Sequence, residues 1–585
     1  PPMVENHQSA HVGPVRYTVS FPEPHTHYAE IEAVFPASLQ PAFELFLPVW
    51  TPGSYLIREY ARHVENVQAN GTPLEKTRKN RWLVEPAGGS EIQVDYRIYC
   101  HDMSVRTNWV DDDFALLIGA ATFLSPVNTS GLSYEVRLEL PVGWTASASG
   151  LAASGAHLYT APDYDTLIDS PIYAGSPAIY PFEVDGIPHY LINHGEANIW
   201  DGRGSAGDVQ KIVRRQREMW GALPYNKYVF LNLITEGGGG LEHKNSVCMM
   251  TSRWAMRNRR SYLGWLSLVS HEFFHVWNVK RLRPAELGPF DYETENHTTS
   301  LWIAEGFTEY YGHLLVHRAG LSTREEYLEG CGGSGAHDGL SGAIRALQTT
   351  PGRLAMPVAQ SSFDAWIKLY RPDENTQNTS ISYYVKGAVI AWLLDARIRR
   401  ATQDTKSLDD LMRLAFSRYS GDRGYTQADF QAAAEDVAGI PLGDFFQGTV
   451  ESTGELDYAD GLDWFGLRFR PEPVPEKAWL GAHTKNDAGR LIVTRIPRGT
   501  PAYHYGLSVE DEIIAIDGFR VRADQLSDRL ERYRPEEEIS ILVARREKLI
   551  DIPVRLGADP GNAWRLEANP RATPEQRLHL EKWLQ

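Results

Sequence analysis

The hydrophobic period of this chain changes near Pro181, and that change rules out one architecture repeated from end to end. From Val15 to about Tyr180 apolar and polar residues alternate. Examples are Tyr17-Thr18-Val19-Ser20-Phe21, the run Ile92 to Tyr99, and Tyr134-Glu135-Val136-Arg137-Leu138-Glu139-Leu140. Pro and Gly punctuate these runs at short intervals, so residues 1–180 are expected to form a β-sandwich-like domain. After Pro181 the spacing becomes mixed and then helical, with a helix near Asp208 to Trp220, a strand at Tyr228 to Ile234 and a glycine run. Residues 181–330 read as a mixed domain and residues 331–455 as an α-helical one. The fold class expected is multidomain α+β, since 585 residues exceed what one hydrophobic core can organise.

Pro471, Pro473 and Pro475 mark residues 456–477 as a stiff linker. Residues 478–558 then carry Leu480-Gly481-Ala482, a strand at Leu491 to Ile496, Ala502 to Leu507, and Asp511-Glu512-Ile513-Ile514-Ala515-Ile516-Asp517-Gly518. This order resembles a PDZ domain. The resemblance implies a peptide C-terminus or an added β-strand as its ligand. In the tail, 559–585, Thr573-Pro574-Glu575-Gln576 provides an N-cap, a proline at N1 and a glutamine at N3. A short closing helix should follow and pack through Leu580, Trp583 and Leu584.

A formal net charge of -17 argues against nucleic acid as a partner, because binding there rests on lysine and arginine neutralising phosphates. No apolar run reaches the roughly 20 residues that span a bilayer, and the longest candidate, Tyr383 to Leu394, contains Lys386. Cys100, Cys248 and Cys331 are too widely spaced for a disulfide framework and read as structural thiols. The polar opening Pro1 to His7 lacks an initiator methionine. A periplasmic protein whose signal peptide has been removed and a cytoplasmic protein are both compatible with it.

The segment His271-Glu272-Phe273-Phe274-His275 lies in an apolar stretch with helical spacing. Positions i and i+4 share one helix face, so both imidazoles can reach one zinc ion, with Glu272 beside it to activate the attacking water. Ser261 is the expected N-cap of this helix, which must stop before Pro284. A third ligand from a Gly and a further His is excluded, because Asn278 and Arg281 occupy those positions. Glu305 in Leu301-Trp302-Ile303-Ala304-Glu305-Gly306-Phe307 supplies the other common solution, with Glu286, Glu293, Glu295 and His297 as rivals. Asn278 falls on the ligand face and is open to an orienting role or to packing. Lys280, Arg281 and Arg283 could contact a substrate carboxylate, but are expected rather to complement the negative end of the helix dipole.

Gly237-Gly238-Gly239-Gly240-Leu241-Glu242-His243 follows a predicted strand. A glycine-rich edge at Gly239 and Gly240 admits a peptide backbone closely, and Glu242 at its end can pair with a free ammonium.

The Trp302-x-x-Glu305-Gly306 segment resembles that of the gluzincin metallopeptidases, and Gly-Gly-Leu-Glu-His is similar to their Gly-x-x-Glu-Asn segment, with His243 in place of Asn. The resemblance implies that Glu242 recognises the substrate's N-terminus. It also implies that Glu309 hydrogen-bonds a ligand histidine. Tyr383-Tyr384-Val385-Lys386-Gly387-Ala388 resembles their Tyr-x-Lys-Gly-Ala segment. There Tyr384 would stabilise the oxyanion, with Tyr383 as the alternative.

Taken with the PDZ-like region and Trp50-Thr51-Pro52-Gly53-Ser54-Tyr55, the chain resembles the glycyl aminopeptidase family. That implies a thermolysin-like catalytic domain with a helical portion, one zinc per chain, and removal of N-terminal residues, preferentially Gly and Ala, from peptides. An endopeptidase without the N-terminus requirement and a noncatalytic peptide-binding protein are the alternatives.

Overall fold

Alternation of apolar and polar residues dictates the first third of the molecule. In the computed structural model, residues 13–36, 39, 42–85, 91–330, 338–471, 476–561 and 563–585 are described. Pro473, Pro475, Cys331 and the Pro1 to His7 opening lie outside them. Contacts divide the chain into two units, the first made largely of residues up to Asn296 and the second largely of those after it.

The first unit opens with a β-rich region. Strand Val15–Ser20 lies parallel to Tyr134–Glu139 on one side and antiparallel to Tyr28–Phe35 on the other, within a seven-stranded sheet. Its inward residues Val15, Tyr17 and Val19 are buried and their neighbours are not, as period two requires. Two four-stranded sheets accompany it. Cys100 and Cys248 are buried free thiols.

A mixed five-stranded sheet follows. Ile187–His194, Tyr228–Thr235 and Ser246–Ser252 run parallel, Ala178–Val184 closes one side antiparallel, and Gly239–Glu242 forms the opposite, antiparallel edge. Strand Tyr228–Thr235 is buried on both faces, which explains its almost continuous apolar sequence. Its one interior polar residue, Asn232, is satisfied on both sides, donating to Asn193 Oδ1 at 2.9 Å and accepting from Trp265 Nε1 at 3.1 Å. Trp265 belongs to helix Arg259–Phe274. Helix Gly202–Trp220 holds the other flank of that helix, because Gln216 Nε2 donates to the Ser270 carbonyl at 2.8 Å. Two buried side-chain bonds therefore fix the His-Glu-x-x-His segment against the sheet.

The second unit is helical around Trp302–Phe307, Thr308–Arg318 and Tyr383–Ala401. It ends in an antiparallel sheet of order His483–Asp487, Arg490–Arg495, Glu512–Ile516, Glu538–Arg545 and Lys548–Arg555, with its own apolar core. Helices Pro501–Tyr505 and Leu526–Leu530 accompany that sheet. Asn378 joins it to the helical part, donating to the Ile496 carbonyl at 3.0 Å and accepting from the Arg498 amide at 2.7 Å.

Helix Pro574–Leu584 begins with the reciprocal cap expected of Thr573 and Gln576. It delivers Trp583, fully buried, against Phe465 and Tyr327, with its Nε1 donating to Tyr310 Oη at 2.7 Å. Arg318 in turn donates to the Trp583 carbonyl at 2.7 Å. Trp583→Ala removes both packing and a buried donor. It is expected to cost about 3–5 kcal/mol, read as a lower denaturant midpoint for the second unit.

Candidate metal centre and active site

The helix bearing the motif starts earlier than its sequence suggests. Asn258, not Ser261, is the N-cap: its side chain accepts from the Ser261 amide at 3.0 Å, and Ser261 lies in the first turn. Carboxamide and hydroxyl oxygens both satisfy a free amide there, and the longer helix uses the upstream one. The helix ends at Phe274, so His275 is its C-cap, and Val279 at a φ of 96° turns the chain well before Pro284.

His271 and His275 are buried, and their Nε2 atoms lie 3.2 Å apart. His275 Nδ1 is 2.9 Å from the Asn278 carbonyl, an acceptor that holds the hydrogen on Nδ1 and leaves Nε2 as the ligating nitrogen. Asn278 thus orients a ring through its main chain. Ligand-type atoms of Glu242, Glu272 and His275 all lie within 4.8 Å of one another, and all three residues are buried.

The glycine edge explains how two carboxylates come so near a strand. A Cβ on Gly240 would fall 2.4 Å from Glu272 Oε1 and 2.7 Å from its Cδ, so only glycine lets this side chain lie against the backbone. Gly239 has a φ of 109°, where a side chain is strained. On the far side, a Cβ on Gly53 would fall 2.6 Å from Glu242 Oε1 and 2.8 Å from Leu241 Cδ1. Gly53, at a φ of 90°, belongs to the Trp50–Tyr55 segment, and its turn closes with the Ser54 amide donating to the Thr51 carbonyl.

Asp169, which sequence reasoning missed, holds this edge in place. It follows the short helix Tyr164–Ile168. Its Oδ1 lies 3.0 Å from His243 Nδ1 and 2.8 Å from Lys280 Nζ, and its Oδ2 accepts from the Lys244 amide at 2.9 Å. Burial would raise this carboxyl, but Lys280 and the His243 hydrogen bond outweigh it and hold it well below the usual carboxylate range. Lys280 is therefore an ion-pair partner and not simply a complement to the helix end. Arg281 donates to the Lys244, Val276 and Pro224 carbonyls, and Arg283 to that of Asp422. The basic cluster is committed to loop anchoring.

In the second unit, Glu305 is buried in the π-helical turn Trp302–Phe307. Such single turns are frequent at functional sites. A Cβ on Gly306 would fall 2.4 Å from Gly387 Cα, and one on Gly387 would fall 2.4 Å from the Trp302 carbonyl. Each motif supplies the glycine that lets the other approach. Glu309 is buried with its Oε1 3.2 Å from His313 Nε2.

At the start of Tyr383–Ala401 the rings of Tyr383 and Tyr384 stack at 4.9 Å. Tyr383 is fully buried, whereas Tyr384 keeps part of its surface. Lys386 is buried and donates to the Ser452 carbonyl at 3.4 Å, and burial brings its ammonium down to about 8. Of the rival ligands, Glu293 is occupied by Arg81 and Asn80, Glu295 is exposed, and His297 stacks on Phe363. Glu286 lies in the short turn Ala285–Leu287.

The buried His-Glu-x-x-His helix beside a glycine-rich edge strand has the residue set of a metallopeptidase site. The profile described as Peptidase M61 N-terminal domain matches residues 16–176, and that described as M61 glycyl aminopeptidase matches residues 264–390. These two segments carry M61 peptidase domains.

Among solved structures, the chain is similar to an aminopeptidase N family protein from Idiomarina loihiensis. Identity is 28%, the match covers 98% of this chain and 100% of that one, and the TM-score is 0.90. A more remote likeness, at 13% identity and a TM-score of 0.48, joins 76% of this chain to 95% of an M1 zinc metallopeptidase from Deinococcus radiodurans. No curated protein sequence matches the chain.

Gly387→Ala puts a methyl group against backbone that cannot rotate away. It is expected to destabilise by about 1–3 kcal/mol, read from the denaturant midpoint, and to lower peptidase activity by displacing Glu305 relative to Tyr384. An unchanged midpoint with unchanged turnover would mean that this crossing carries no constraint.

Proposed function

We propose that the protein is a zinc-dependent aminopeptidase that hydrolyses the first peptide bond of substrates with a free N-terminus, preferring small residues such as Gly and Ala. The observation that carries this reading is the convergence of Glu242, Glu272 and His275 beside the open edge Gly239–Glu242. One carboxylate there serves an ammonium while the other serves as base.

Whether the residues fit zinc is tested by the imidazole pair. Two nitrogens at about 2.0–2.1 Å from an ion in tetrahedral array lie roughly 3.3 Å apart, and the two Nε2 atoms are 3.2 Å apart. His271, His275 and Glu305 would hold one ion per chain, a set of two imidazoles and a carboxylate. Bound there, zinc supplies Lewis acidity toward the carbonyl oxygen and lowers the pKa of water.

Glu272 takes a proton from the attacking water and returns it to the leaving amine. Tyr384, the ring with exposed surface, donates to the developing oxyanion. Glu309, beyond its contact with His313, would position a ligand histidine. Glu242 holds the substrate ammonium, while Gly239 and Gly240 admit its backbone. The close approach of Gly53 to Glu242 narrows the space around the ammonium, which supports a preference for small first residues.

The C-terminal sheet, residues 478–558, is the PDZ-like domain of this reading. Among the described residues its edge strand His483–Asp487 pairs on one side only, with Arg490–Arg495, and is suited to an added strand or a peptide C-terminus.

Glu272→Gln should keep about one zinc per chain by metal analysis while losing about 10²–10⁴-fold in turnover. Normal turnover in the metal-replete variant would refute the base assignment. Glu242→Ala should lower kcat/KM on unblocked alanyl peptides at least about tenfold, the worth of one buried charge-assisted contact. N-acetylated peptides cleaved as fast as unblocked ones would point to an endopeptidase.

A further inference from the structure

We propose that Arg106 is a specificity residue that receives a carboxylate on the leaving-group side of the substrate, so that the site is built for short peptides. The inference rests on the aminopeptidase reading and extends it from the substrate's first residue to its last.

Three contacts fall in order along the edge strand. Glu242 stands at one end, and Gly240, two residues back, has the Glu272 carboxylate against it. At Gly239, one residue further, a Cβ would lie 3.9 Å from Arg106 Nη1. A peptide lying along this strand with its ammonium at Glu242 meets the base next and the guanidinium last. Glu242 to Gly239 spans three residues, about 10 Å at 3.3 Å each. That is the length of an extended di- or tripeptide from amine to carboxylate.

Arg106 is prepared for such a ligand. Its main chain is fixed, the amide donating to Ser104 Oγ at 3.0 Å and the carbonyl accepting from Tyr60 Oη at 2.7 Å. Its side chain is half-buried, and its Nε is shielded from solvent without a hydrogen-bond partner. Among the described residues its guanidinium forms no ion pair. The other arginines near the site, Arg58, Arg253 and Arg281, each donate to protein oxygens. A partly desolvated guanidinium with its fork open is a matched receptor for a carboxylate. That carboxylate is the C-terminus of a short peptide or an acidic side chain just past the cleaved bond.

The experiment compares kcat/KM of the zinc-loaded full chain and its Arg106→Gln and Arg106→Lys variants on two substrate pairs. Ala-Ala-Ala against its C-terminal amide reads the terminal carboxylate, and Ala-Asp-Ala amide against Ala-Asn-Ala amide reads an acidic side chain. The wild type is expected to favour the acid in at least one pair by about tenfold, as one charge-assisted contact confers. Arg106→Gln should bring that ratio to about one and Arg106→Lys should keep part of it. A ratio is insensitive to general loss of folded enzyme, so a structural role alone would leave it unchanged. No preference in either pair, or a preference that survives Arg106→Gln, overturns the proposal. A wild type that hydrolyses alanyl anilide but shows no preference refutes this inference alone. One that hydrolyses neither anilide nor peptides refutes the aminopeptidase reading beneath it.

Discussion

The absence of a side chain at position 240 is what allows a helix-borne carboxylate to rest against the backbone of an edge strand. With a Cβ there, Glu272 Oε1 would be 2.4 Å away, and the helix, the strand or the glutamate would have to move. Much of the first unit preserves this approach. Asn232 and Gln216 hold the helix on its two flanks, and Asp169 ties the far end of the strand to the loop after the helix through His243 and Lys280. Close packing is maintained by polar side chains whose partners are all inside the protein.

That arrangement carries an electrostatic condition. Asp169 is buried, and its pairing with Lys280 and His243 depends on its being ionised. Its carboxyl titrates lower in the folded chain than in the unfolded one. The stabilisation it confers is therefore complete above about pH 4 and is lost as the pH falls toward the depressed folded value. The junction between the edge strand and the loop after the helix is thus weakened by acid.

Features that depend on near neighbours in the chain were legible from sequence. The i, i+4 spacing of His271 and His275 implied a shared helix face, alternation implied the inward residues of Val15–Ser20, and Thr573 to Gln576 implied the cap that forms. Local signals were weaker at boundaries. Asn258 and Ser261 are both good caps, and sequence does not say which of two candidates three residues apart the chain will use. Likewise Gly202 and Gly204 obscure the first turn of a helix that begins before Asp208. Asp169, Arg106 and Gly53 carried no readable signal for the site, since Asp169 meets residues 74 and 111 positions away and the other two meet the distant strand Gly239–Glu242 from turns. Nothing in the immediate surroundings of an aspartate marks it as a tertiary clamp.

The burial of Trp583 has a consequence for how the molecule comes into being. Arg318 and Trp583 are bonded across 265 positions of chain, and Tyr310 and Trp583 across 273. During synthesis helix Thr308–Arg318 cannot complete these contacts until Trp583 has left the ribosome. Until then the apolar surface that Trp583 covers stays exposed, the condition under which large chains aggregate.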